Sequence, residues 1–189
     1  KSALRAEPDL RHALSEALDR NEIAKVLGRE CRGTGSWLVP ELLPRRGKTA
    51  LPPASLAAAA EKLRAAAKEG RMDLKLKLYN KTAHKLLAEW AQGQWEKKLG
   101  VRIPVEVQDS KVYWKEVSQN PAPIFFGGVT APFGHPRAFL QEFLTGGSAN
   151  WTGWSSAAYD HAVSAEHFAD AEKILERDGF VIPLYQRDT

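Results

Sequence analysis

Leu74-Lys75-Leu76-Lys77-Leu78-Tyr79-Asn80, continued by Lys81-Thr82-Ala83-His84 and an apolar-periodic run to Leu99-Gly100, decides the fold. Leucine alternates with lysine through Leu78, the period of a strand with one solvated face. Thr82 can cap the helix that follows, which carries Leu86, Leu87, Trp90, Ala91 and Trp95 and stops at Gly100. A strand thus feeds a helix through a short polar turn that starts at Asn80. In open α/β sheets such turns lie at the carboxyl ends of strands, where ligands bind.

Downstream, Val101, Ile103, Val105 and Val107 alternate as a second strand, with Pro104 marking an edge or a bulge. Asp109 opens a short helix through Val117 that carries Tyr113 and Trp114. Ile124-Phe125-Phe126 reads as a short buried strand, broken by Gly127-Gly128. A loop from Val129 to His135 leads to Pro136, at the first turn of a helix ending near Thr145 and Gly146. Trp151 to Ser156 is a polar-aromatic loop, followed by one helix from Ala157 to Arg177 and a closing strand, Val181 to Tyr185.

Upstream, Pro8 and Asp9 open a helical pattern through Leu27, with Leu10, Leu14, Leu18 and Ile23 in one stripe and Gly28 as its stop. Gly33 to Pro53 is rich in Gly and Pro and reads as an irregular loop that contains the apolar patch Trp37-Leu38-Val39-Pro40. Ser55 can cap an Ala-rich helix to Glu69. Helices alternate with strands, so the class is α/β and layered. With 189 residues, the expected organisation is a single domain, residues 1–189.

Composition narrows the function classes. The apolar fraction of 43% and the six tryptophans are those of a globular chain. No apolar run reaches the roughly 18 residues a membrane span needs, and Lys1-Ser2-Ala3-Leu4-Arg5 lacks the apolar core of a signal peptide. Cys31 is alone, so no internal disulfide forms. The net charge of +4 is spread over helix faces, except for Arg45-Arg46-Gly47-Lys48. That cluster reads as a solvated loop; as a nucleic-acid patch it has no recognised motif beside it. Catalysis finds no support: His161 and His167 are six apart, Ser148, Ser155 and Ser156 lack a nucleophile elbow, and no glycine-rich phosphate loop exists. Asp109 and Glu116 are paired acids of the kind common on solvated helix faces. No cofactor, metal or nucleic-acid partner is expected.

Four segments taken together carry a family resemblance. The first is Leu10 to Ile23, which follows an R-x-A-L-x-x-A-[IL]-D-R-x-x-I pattern. The second joins Tyr79-Asn80 and His84-Lys85 to Trp95-Glu96-Lys97-Lys98-Leu99-Gly100-Val101. The third is Pro136-Arg137-Ala138-Phe139-Leu140 with Asn150-Trp151-Thr152-Gly153-Trp154 and Tyr159-Asp160. The fourth is Ala171-Glu172-Lys173-Ile174-Leu175 with Val181-Ile182-Pro183-Leu184-Tyr185. In this order they resemble the solute-binding proteins of bacterial peptide-type ABC importers, family 5, the dipeptide, oligopeptide and nickel binders.

The resemblance implies a periplasmic-binding-protein-like (type II) lobe, a mixed sheet flanked by helices. The family has two lobes that enclose the ligand. The resemblance starts after the first crossing between lobes and ends at the strand of the return, so it implies the carboxyl-side lobe alone, ending near the hinge. The implied partners are a peptide or other small solute, the missing N-terminal lobe of the same protein and a membrane ABC permease. The implied location is periplasmic or cell-surface. An effector-sensing domain of a transcription regulator is the alternative, since the same lobe type can be joined to a DNA-binding domain.

Site residues follow from the same resemblance. In peptide-binding relatives the loop at Gly128-Val129-Thr130-Ala131-Pro132-Phe133-Gly134 carries a Trp and, three residues later, an Asp that pairs with the peptide α-amino group. Those positions here look like Val129 and Pro132. Proline cannot make that ion pair and also removes an amide donor. Another carboxylate substitutes, or the ligand lacks a free amine, or binding has been lost. Phe133 keeps an aromatic next to it. His84 matches a family histidine near the ligand's carboxyl end; on physics alone it is a surface or capping residue. Asn80, Trp37 and Trp151 stand near predicted loop edges, where they line a site or cover the core. Trp90 and Trp95, inside an apolar stripe, read as core; Trp154 is open between core and site. The candidate set is therefore Val129, Thr130, Pro132, Phe133, His84, Asn80, Trp37 and Trp151. The resemblance further implies a longer stretch between Asp160 and Ala171 than this chain has, so a helical hairpin there is shortened.

Overall fold

A computed structural model describes residues 3–42, 53–68, 74–130 and 134–187. Its centre is a three-stranded parallel sheet made from the Leu74 region and the two strands after it. Strand β2 (Leu76–Tyr79) lies between β3 (Val105–Gln108) and β4 (Ile124–Phe125). Leu76 stands opposite Val105 and Ile124, and Lys77 opposite Glu106 and Phe125. Parallel neighbours need long crossovers. Helix α5 (Thr82–Leu99) supplies the one between β2 and β3, and α6 (Ser110–Gln119) the one between β3 and β4. The alternation in β2 is read out as expected: Leu76 and Leu78 are buried, and Lys77 takes the other face. A separate antiparallel ladder joins β1 (Cys31–Gly33) to β5 (Tyr185–Arg187), with Cys31 opposite Arg187. Parallel and antiparallel pairings thus occupy two sheets.

Several boundaries differ from the sequence reading, each for a local reason. Thr82 is the first helical residue of α5, and the cap position is Lys81, extended at φ −144° with no side-chain cap bond. The helix from Ser55 begins earlier, as α4 (Pro53–Lys68), so Ser55 falls inside its first turn. The pattern from Pro8 to Leu27 divides into α2 (Pro8–Glu16) and α3 (Ile23–Leu27), with α1 (Ala3–Ala6) before them. Between them the Asp19 carboxylate accepts the Asn21 N–H at 3.1 Å, a local bond that competes with helix continuation. Val101 and Ile103 are buried but lie outside the ladder, which starts at Val105.

The carboxyl-terminal third departs most. The segment after Pro136 forms a short α7 (Pro136–Leu140) and a 3₁₀ turn over Gln141–Phe143. The single helix expected from Ala157 to Arg177 is a hairpin of α8 (Ala157–Ser164) and α9 (Phe168–Asp178). Glu166 turns the chain at φ 61°, and the His167 N–H donates to the Ala162 carbonyl at 2.8 Å. The closing strand is Tyr185–Arg187, displaced from Val181–Tyr185. Pro183 has no N–H to give a ladder, and its carbonyl accepts Arg20 Nε at 2.7 Å.

The main core joins α2, α4, α5 and β2 through Leu10, Leu14, Leu63, Leu78, Trp95 and Leu99. A second cluster gathers Leu38, Leu140, Tyr159 and Leu175. A smaller one joins Ile23, Cys31 and Leu87. Polar ties bind the early helices to the last segment: Arg11 Nε donates to the Asp178 carbonyl at 2.9 Å, and His12 Nε2 lies 2.9 Å from the Arg177 carbonyl. The basic cluster Arg45-Arg46-Gly47-Lys48 lies outside the described residues.

Candidate functional site

Parallel strands end on unpaired backbone, and the residues that cover those ends here are aromatic. Tyr79 closes β2. His84 stands one turn into α5, and its ring meets Tyr79 edge-on, centroids 4.3 Å apart at 88°. Phe126, just past β4, reaches His84 from the other side at 4.3 Å. Helix α6 starts where β3 stops, capped by the Asp109 carboxylate, which accepts the Lys111 N–H at 2.9 Å. That cap aims Tyr113 and Trp114 at Tyr79, with ring centroids 5.5 and 5.4 Å away. Trp114 then meets Trp151, from the loop before α8, at 5.0 Å. Phe126, His84, Tyr79, Trp114 and Trp151 therefore form one continuous aromatic row along the carboxyl ends of β2 and β4.

The inner end of the row is dry and the outer end is open. His84 is 4% exposed, and its Nδ1 is buried without a partner among the described residues. Burial, helped by the nearby Lys81 charge, pushes its pKa below the ordinary histidine value, against a backbone bond at Tyr79 that raises it. Tyr113 is fully buried, and its hydroxyl donates to the Phe126 carbonyl. Burial raises that phenol's pKa, so it stays a proton donor. Tyr79, Trp114 and Trp151 are half-buried.

Asn80 is exposed at the strand end, its N–H spent on the Gln108 carbonyl at 2.9 Å. Beyond Phe126 the chain runs through Gly127 and Gly128, around whose missing Cβ atoms nothing stands within 4 Å. Val129 follows half-buried and Thr130 exposed. Pro132 and Phe133 lie outside the described residues.

A polar brace supports the row. Lys77 Nζ lies 2.6 Å from Glu116 and 3.3 Å from Glu106, and Lys75 joins Glu106 at 3.2 Å. Gln108 Nε2 donates to both carboxylates. The hydrogen bond to Glu116 raises the Lys77 pKa, and the bonds from Lys75 and Lys77 hold Glu106 and Glu116 below the usual carboxylate value. Glu116 is thus committed to Lys77, and Asp109 to the cap of α6.

Of the expected residues, His84 and Trp151 belong to this row, Asn80 follows its Tyr79 in the chain, and Val129 and Thr130 come three and four residues after its Phe126. Trp37 stands elsewhere: its ring meets Phe143 at 4.8 Å and its indole N–H donates to the Phe139 carbonyl at 3.1 Å, inside the second core cluster. Trp154 stacks on Phe180 at 4.1 Å and donates to Asp178, which makes it core. Trp95 is core as read, its N–H on the Leu14 carbonyl at 2.8 Å. Trp114 was missing from the expected set. Its signal was present: an aromatic next to the buried Tyr113, on a helix that opens directly at a strand's carboxyl end. Among the described residues no group of three or more His, Cys, Asp or Glu could hold a metal ion. A shallow hollow of about 300 Å³ at the α8–α9 turn is lined by the five consecutive residues 166–170 and brings no distant groups together.

A family model described as bacterial extracellular solute-binding proteins, family 5 Middle, matches residues 2–151. The chain is 29% identical over 120 residues to the periplasmic oligopeptide-binding protein OppA of Salmonella typhimurium, covering 57% of this chain and 22% of that protein. It is 28% identical over 116 residues to the dipeptide-binding protein DppE of Bacillus subtilis, covering 56% of this chain and 21% of that protein. The matched part thus spans about a fifth of these relatives' length. The unliganded open form of the murein tripeptide binding protein MppA superposes with a TM-score of 0.84 at 24% identity, over 99% of this chain and 40% of that one. The fold is the α/β fold of type II periplasmic binding proteins.

Proposed function

Because the chain belongs to family 5 of the bacterial extracellular solute-binding proteins, we propose that it forms one lobe, the carboxyl-side one, of a two-lobed binder that encloses a peptide-like solute for uptake by a membrane ABC permease. Asn80, Trp151, Val129 and Thr130 are the proposed contacts on this lobe, with the buried His84 as the support of Tyr79. The observation that carries the reading is the aromatic row, which lies on the edge where open α/β sheets present backbone donors to ligands. The protein acts outside the cytoplasm and performs no chemistry on its solute. Capture works by closure: the solute gains contacts with both lobes only in the closed state, and so shifts the population toward it. The relatives, all binding proteins, favour this over effector sensing in a regulator.

Calorimetric titration with a mixture of short peptides tests the proposal. The full-length protein carrying this lobe is expected to bind, with a compaction visible in small-angle scattering. The 189-residue chain alone holds half a site and is expected to bind weakly or not at all. Binding tighter than micromolar by this chain alone overturns the two-lobe mechanism, and failure of the full-length protein to bind any peptide overturns the substrate class.

A further inference from the structure

The six tryptophans of the chain divide by the fate of their indole N–H. Trp37, Trp90, Trp95 and Trp154 donate to Phe139, Glu22, Leu14 and Asp178 respectively, so each is fixed in the fabric of the fold. Trp114 and Trp151 have no acceptor among the described residues, and neither N–H is buried. These two meet each other at 5.0 Å with their planes tilted by 52°. They come from separate elements, α6 and the loop before α8, and Tyr79 continues their wall 5.4 Å from Trp114. A tilted pair of half-buried indoles with unspent donors is a recognition surface rather than a core contact, since buried tryptophan N–H groups normally find partners.

Resting on the proposed function, we infer that Trp114 and Trp151 form a subsite that selects solutes bearing an aromatic side chain, with Trp114 as a specificity-determining residue. A flat ring laid along the wall meets offset and edge-on aromatic neighbours, the arrangements that ring quadrupoles favour. A backbone carbonyl of the solute supplies the acceptor that an indole N–H lacks. The rings of the wall carry no charge. The ring centroids next to Trp114 belong to Tyr79, Tyr113 and Trp151, all neutral aromatics. Asp109 and Glu116, on the same helix, are held by the α6 cap and by Lys77.

The test uses the full-length protein and four tripeptides, Ala-Ala-Ala and its variants with one Phe at each position in turn. Calorimetry on wild type, Trp114→Ala, Trp114→Phe and Trp151→Ala reads the affinities, and circular dichroism checks that each variant folds. The expected result is that one Phe position improves wild-type binding about tenfold, equivalent to about 1.4 kcal/mol. Trp114→Ala and Trp151→Ala should abolish most of that gain, so that each variant binds the Phe peptide and Ala-Ala-Ala about equally. Trp114→Phe should keep most of the gain. Equal binding of alanine and phenylalanine peptides by wild type overturns the subsite and leaves peptide binding standing. So does a Trp114→Ala variant that keeps the tenfold preference for the Phe peptide. No binding of any peptide overturns the proposed function together with the subsite.

Discussion

Leu38 donates its backbone N–H to the Glu172 carboxylate at 2.8 Å, so the last helix holds the apolar turn at Trp37 and Leu38 by a half-buried acid. Burial raises the Glu172 pKa above 4.5; the Glu176 charge adds to this, while backbone bonds from Leu38 and Trp37 oppose it. The folded state therefore binds this proton more tightly than the unfolded chain. The charge costs stability as pH rises through 4.5 to the raised folded value. Glu172→Gln keeps an acceptor and removes the charge. It should unfold at the same or higher temperature than wild type at pH 7 and lose the advantage at pH 4. Glu172→Ala orphans the Leu38 N–H and should cost about 1–3 kcal/mol. Thermal unfolding followed by circular dichroism at the two pH values decides the matter.

His84 carries the opposite sign. Its pKa is lowered below 6.5, so the folded state holds this proton less tightly than the unfolded chain. The group costs nothing above pH 6.5, and stability falls as pH drops from there to the lowered folded value. His84→Phe fits the aromatic slot between Tyr79 and Phe126. The difference in melting temperature between wild type and this variant should move in the variant's favour on going from pH 7.5 to 5.5. A constant difference would refute the assignment.

Two glycines should respond in opposite directions to alanine. A Cβ on Gly33 would sit 1.9 Å from the Arg20 carbonyl oxygen, a backbone atom that cannot turn aside. Gly33→Ala should cost about 2 kcal/mol or more, read by urea unfolding. Gly93 is inside α5, with nothing within 4 Å of its missing Cβ. Gly93→Ala should stabilise by about 0.5–1 kcal/mol, because glycine is a poor helix former.

Lys77 holds two carboxylates and is 19% exposed. Lys77→Met should leave Glu116 without its cation while Glu106 keeps Lys75. It should destabilise the fold by about 1 kcal/mol at low salt, and less at 1 M salt. The same variant should show a weaker loss of stability on acidification through the usual carboxylate value, 4.5, because Glu116 loses the bond that does most to hold it below that value. Unfolding titrations at two salt concentrations and two pH values measure both effects.

Much of this architecture was legible in the sequence, and the failures have local causes. Period-two leucines gave away β2, an apolar-periodic run stopped by Gly100 gave away α5, and Asp109 announced α6 correctly. Strand β1 escaped because three residues show no periodicity, and Cys31-Arg32-Gly33 forms a strand only by pairing with β5. The α8–α9 turn escaped because Glu166 adopts a left-handed backbone that side chains rarely favour. At the site, the strand-to-helix turn at Asn80 was legible, whereas His84, expected on residue chemistry alone at the surface or in a cap, is buried between two aromatic rings. Trp37 was misread because a tryptophan in a glycine-rich loop looks the same whether it lines a site or closes a core. Trp114 was passed over because its role depends on Trp151, 37 positions along the chain, which only the fold brings near.

The bond from Arg11 to the Asp178 carbonyl joins positions 167 residues apart, and this orders the assembly of the molecule in time. Closing a flexible loop of that length costs about 4–5 kcal/mol of chain entropy before any contact is gained. During synthesis Arg11, His12 and Arg20 must wait for residues 177, 178 and 183 before their bonds can form. The β1–β5 ladder must wait longer still. The parallel sheet, whose strands lie within about fifty residues of one another, can close first. The ties that join residues 11–33 to residues 177–187 therefore form after the core contacts of Leu10 and Leu14 with Trp95 and Leu99, which need no residue beyond the parallel sheet.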